Sequence, residues 1–111
     1  MTRWCDHRIV FRLDRDLDGS DIVITFCQNG KTVIEYGVGN ERVSVAGNVV
    51  TLDMTPEDTA LFSCPFTLAQ INLLTGDKRQ ATELMRIPVT DNLCGHTLGI
   101  ANGYQRLGVD L

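Results

Sequence analysis

Residues 22–36 read Ile22-Val23-Ile24-Thr25-Phe26-Cys27-Gln28-Asn29-Gly30-Lys31-Thr32-Val33-Ile34-Glu35-Tyr36. Ile22, Ile24 and Phe26 alternate with Val23, Thr25 and Cys27. Period two puts the first set on one face of a strand and the second on the other. Asn29-Gly30 follows, the dipeptide that tolerates positive φ at both centres of a type I′ turn. Lys31 to Tyr36 then returns as the second arm of a hairpin, and Gly37 and Gly39 break that arm.

The same signals recur on either side. Residues 8–13 alternate, so Ile9, Phe11 and Leu13 share a face. Arg42 to Ala46 and Val49 to Asp53 form a second hairpin turning at Gly47-Asn48, with Val43, Val45, Val50 and Leu52 inward. In Thr55-Pro56-Glu57-Asp58, Thr55 suits an N-cap and Pro56 the first helical position, and the acids favour the positive end of the helix dipole. One helical turn is expected near residues 56–61, with Leu61 and Phe62 plugging the core. Phe66 to Leu74 reads as a strand with Ala69, Ile71 and Leu73 inward, turning at Gly76-Asp77. Arg79 to Val89 reads as the last long strand, with Met85, Ile87 and Val89 inward. Pro88 places it at an edge or a bulge, because proline cannot donate to the ladder.

These elements imply an all-β chain. Val, Ile and Thr supply 28 of its 111 residues, a density of β-branched side chains that favours strands. About seven strands with turn signals at short, regular intervals point to a two-sheet antiparallel sandwich, Ig-like, with an open barrel as the alternative. Residues 1–93 are read as one sandwich domain. Residues 94–111 differ, because Gly95, Gly99, Gly103 and Gly108 interrupt scattered Leu98, Ile100, Tyr104, Leu107 and Val109. They read as an arm packing on a neighbouring subunit or as a final strand.

The net charge of −4 and a pI near 4.9 disfavour nucleic acid and anionic membranes, which draw excess Lys and Arg. No signal-peptide stretch follows Met1, and no run approaches the roughly 20 apolar residues of a membrane span. The even count of cysteines, Cys5, Cys27, Cys64 and Cys94, would allow two disulfides, but without a secretory signal they are expected as thiols of a reducing compartment.

Two patterns carry metal chemistry. Asp14, Asp16 and Asp18 alternate before Gly19, as hard oxygen ligands do in a calcium loop. The glutamate that an EF-hand needs six residues after the glycine is Thr25, so a solvated turn is the stronger reading. Cys5, His7, Cys94 and His96 form two Cys-x-His pairs, a chemically suitable tetrahedral zinc set if the chain ends meet. Their one-residue spacing is tighter than zinc motifs use, and four unrelated packing or surface residues are the stronger reading. No metal and no cofactor is expected. Gly30-Lys31-Thr32 lacks the leading glycine of a phosphate loop, and Gly37 to Arg42 lacks the third glycine of a dinucleotide fingerprint. No Gly-x-Ser-x-Gly elbow accompanies the two histidines, so no enzyme is expected.

The order of elements resembles small β-sandwich proteins of phage and prophage structural-gene clusters, and the N-terminal sandwich domain of phage baseplate upper proteins. The resemblance covers roughly residues 8–92. It is carried by Leu17 to Phe26, by Gln28-Asn29-Gly30-Lys31, and by Thr55-Pro56-Glu57-Asp58-Thr59-Ala60-Leu61-Phe62. Ala69 to Arg79 and Ala81 to Val89 complete it. The paired Cys-x-His segments and the Gly-rich tail depart from the family pattern. The resemblance implies a non-enzymatic virion or prophage component of tail or baseplate, in the virion or the host cytoplasm. It implies no catalytic residues. Contacts with copies of itself and other virion proteins are expected on physical grounds, because sandwich edges can add strands to a partner and the apolar residues of 94–111 need a surface to bury against.

Overall fold

A computed structural model describes residues 1–37 and 39–95. Eight strands and one helical turn are present among them: β1 His7–Arg12, β2 Asp21–Gln28, β3 Lys31–Gly37, β4 Val43–Ala46, β5 Val49–Met54, α1 Pro56–Thr59, β6 Phe66–Thr75, β7 Lys78–Ala81 and β8 Met85–Pro88. They form a two-sheet antiparallel sandwich. One sheet has the order β1-β5-β4. The other has the order β3-β2-β6, with β7 and β8 both pairing along β6. Each sheet ends in open strands, so the architecture is a sandwich and not a closed barrel.

The alternation seen in the sequence decides what lies between the sheets. Phe11, Val50, Leu52 and Met54 come from the three-stranded sheet, and Ile22, Ile24, Phe26, Tyr36, Ala69, Ile71 and Leu73 from the other. Phe26 sits at the centre. Its ring meets Phe62 edge-on at 5.4 Å and Tyr36 edge-on at 6.1 Å, the favoured geometry for aromatic quadrupoles. The β2–β3 turn adopts the expected type I′ signs, with Asn29 at φ 53° and Gly30 at φ 74°. The β2–β3 register shifts between Phe26 and Cys27, pairing Phe26 with Ile34 and Cys27 with Thr32, so Val33 is the extra residue of a bulge.

Three expectations are corrected. The last long strand is two strands. Thr82 donates its N–H to the Ile71 carbonyl while its Oγ1 accepts from the Ile71 N–H, so the ladder breaks between β7 and β8. Of the Leu61–Phe62 pair, only Phe62 enters the core; Leu61 is 57% exposed. Thr59 N–H bonds back to Thr55 and Leu61 N–H to Asp58, and that tight turn directs a single large side chain inward. Val45 shares the inward face with its ladder partner Val50, yet it is 39% exposed rather than buried, because β4 is a four-residue strand at the sheet edge.

The helical turn otherwise follows its sequence. Thr55 Oγ1 accepts from the Asp58 N–H at 3.2 Å, and Pro56 opens the helix. Pro88 lies at the end of β8, which pairs with β6 along one side only. Val89, beyond it, is buried and its N–H bonds Pro65 O at 2.8 Å.

Candidate interaction surfaces

The two ends of the described chain meet, as the zinc reading required. The Met1 ammonium donates to Pro88 O at 2.9 Å, Thr90 N–H to Met1 O at 2.8 Å, and Arg3 N–H to Thr90 O at 3.0 Å. Thr2 and Thr90 form a parallel bridge. Arg3 pairs with Asp91 at 3.0 Å and also donates to Ala60 O at 3.1 Å. The Asn92 N–H first, and Arg3 second, hold the Asp91 carboxyl below its ordinary range.

Asn92 joins the two cysteine segments. Its Nδ2 donates to Arg3 O at 3.0 Å and to Cys5 Sγ at 3.4 Å, and its Oδ1 accepts from the Cys94 N–H at 3.0 Å. The structure therefore brings Cys5 and Cys94 to one asparagine amide. His7 stands at the start of β1, and burial, then the N-terminal ammonium, lowers its pKa. His96 lies outside the described residues, as does most of the 94–111 segment, so neither the arm nor the final strand is described. Nothing in the sequence singled out Asn92 or Thr59. Thr59 is fully buried, donates to Cys5 O at 2.8 Å and accepts from Cys5 N–H at 3.1 Å.

Asp14, Asp16 and Asp18 lie in the β1–β2 loop. Asp14 accepts from Arg15 Nε at 3.3 Å, while Asp16 Oδ1 caps the Asp18 N–H at 2.9 Å. Those bonds build an Asx turn, with Gly19 following at φ 75°. Among the described residues, no three His, Cys, Asp or Glu side chains are grouped so as to hold a metal ion.

The most open surfaces are strand edges and the gap between them. The Leu13 N–H bonds Asn48 O on the β5 side. Antiparallel alternation then turns the backbone groups of Arg8, Val10 and Arg12 away from β5, toward the free side of β1. Beyond that edge, a cavity of about 620 Å³ opens between β1 and β7–β8. Phe11, Leu13, Ile71, Leu73 and Met85 line its apolar part, and Arg15 donates to Gln80 across it. β3 and β4 are the outer strands on the opposite margins of the two sheets. Among the described residues, no helix is long and apolar enough to cross a membrane.

No family model matches the chain, and no curated protein matches it. Among solved structures, the V domain of amphioxus IgVJ-C2 is similar at 14% identity, over 81% of this chain and 95% of that one, with a TM-score of 0.35.

Proposed function

We propose that this chain is a non-enzymatic structural protein of a phage or prophage particle, a tail or baseplate component acting through contacts with copies of itself and with other virion proteins. The observation that carries the reading is the set of open strand edges. β1, β3 and β4 each present a row of backbone donors and acceptors toward solvent, and such rows recruit strands from partners. None of these three strands contains a proline, the residue that most directly blocks such pairing. The turn chemistry and strand order over roughly residues 8–92, which resemble phage structural sandwiches, supply the particle context.

Immunodetection tests the reading. Particles released from cells carrying this gene are fractionated and probed with antibody raised against the chain. Co-migration with tail or baseplate structures is expected. Absence from every particle fraction, with the chain left in the soluble lysate, contradicts it.

A further inference from the structure

The outer face of the five-stranded sheet carries a pattern that the sandwich itself does not use. Residues opposed across a ladder point to the same face. The register therefore sets Gly37, Val23, Asn72 and Ala81 in one row, crossing β3, β2, β6 and β7. The neighbouring row holds Asp21, Leu74 and Arg79. Val23 is 38% exposed and Leu74 44% exposed. Gly37 and Ala81 end the centre row with almost no side chain. An open trough of about 510 Å³ lies on this face, lined by Asp21, Val23, Glu35, Asn72, Leu74 and Arg79.

We propose that this face docks against the same face of a second copy of the chain. The inference rests on the assembly reading and names the surface that would serve it. The charge layout selects the occupant. The acid of the Asp21–Leu74–Arg79 row is on β2, and its base lies two strands away on β7. A two-fold axis running along β6, midway between β2 and β7, exchanges those two strands. Arg79 of one copy then reaches Asp21 of the second, and the reverse pair forms by symmetry, as an isologous contact requires. Leu74 of each copy lies between the two ion pairs and Val23 meets Ala81 of the second copy in the next row, both shielded from water once the faces meet.

The area fits a weak dimer. The strands β2, β3, β6, β7 and β8 have 8, 7, 10, 4 and 4 residues; at about 3.3 Å per residue and about 4.8 Å between strands they present about 500 Å² per copy, or about 1,000 Å² in total. That is near the lower bound for specific association, so concentration-dependent pairing is expected.

Sedimentation velocity on the full chain and two charge variants tests this. The wild type is expected to shift toward dimer as concentration rises. Arg79→Asp alone and Asp21→Arg alone should each lower the dimer fraction at least tenfold. Mixed in equal amounts, they should recover it, because the mixed pair has one native and one reversed ion pair. Both positions are exposed, so far-UV circular dichroism should match the wild type. Gly37→Trp gives a second route: a Cβ there meets nothing within 4 Å, so the monomer accepts the change while the indole stands beside Val23 and obstructs the face. A wild-type dimer untouched by all three variants overturns this face but leaves the assembly reading standing. A wild type that stays monomeric throughout overturns both.

Discussion

The Tyr36 hydroxyl donates to Asp58 Oδ2 at 2.9 Å, tying the end of β3 to the helical turn that follows β5. The phenol ring packs on Phe26 in the core while its oxygen reaches a carboxylate at the margin. One side chain thus links the five-stranded sheet to the connection leaving the other. Tyr36→Phe keeps the packing and loses only the bond. It should cost about 1–2 kcal/mol in urea unfolding, with an unchanged m-value.

The same residue sets an alkaline limit. Burial first, and the Asp58 carboxylate second, push the Tyr36 phenol above its ordinary value of 10.0. The unfolded chain ionises there first and releases protons that the folded chain keeps. The contribution is full below pH 10 and is lost as pH rises toward the folded value. Urea midpoints measured between pH 9 and 11 should fall more steeply for the wild type than for Tyr36→Phe.

At the acid end the group is His7. Burial, then the N-terminal ammonium, lowers its pKa below 6.5 in the fold. The unfolded chain takes up the proton first as pH falls through 6.5, so stability declines below that point. A urea midpoint lower at pH 5.5 than at pH 7.5 is expected, with a smaller difference in His7→Gln.

Thr59 predicts a larger effect from a smaller change. Its hydroxyl bonds both the N–H and the C=O of Cys5 at a buried position. Thr59→Val is near-isosteric and strips both partners, so a loss of about 1–3 kcal/mol is expected. Thr59→Ser keeps the hydroxyl and should recover much of it. A larger loss in Thr59→Ser than in Thr59→Val would show that the methyl group, and not the bonding, matters.

Much of the fold was legible because its determinants are local. Alternation at Ile22, Ile24 and Phe26 and the Asn29-Gly30 turn need only neighbouring residues to be read, and so does the Thr55-Pro56 cap. What stayed hidden depends on distant partners. The break at Thr82 exists because its hydroxyl and N–H find Ile71 on the neighbouring strand. The exposure of Val45 follows from where β4 lies in its sheet, which alternation does not encode. The joining of Cys5 and Cys94 through Asn92 links positions 87 and 2 residues from that asparagine, and the amide carries no pattern of its own. The outer face of the five-stranded sheet is of the same kind: Gly37, Val23, Asn72 and Ala81 become a row only once the register is fixed.

Light scattering of the purified full chain over a wide concentration range gives the most direct measurement of whether the protein works by self-contact. A weight-average mass climbing above the monomer's 12.3 kDa as concentration rises is the predicted result. A mass fixed at the monomer value from the most dilute to the most concentrated sample would contradict it.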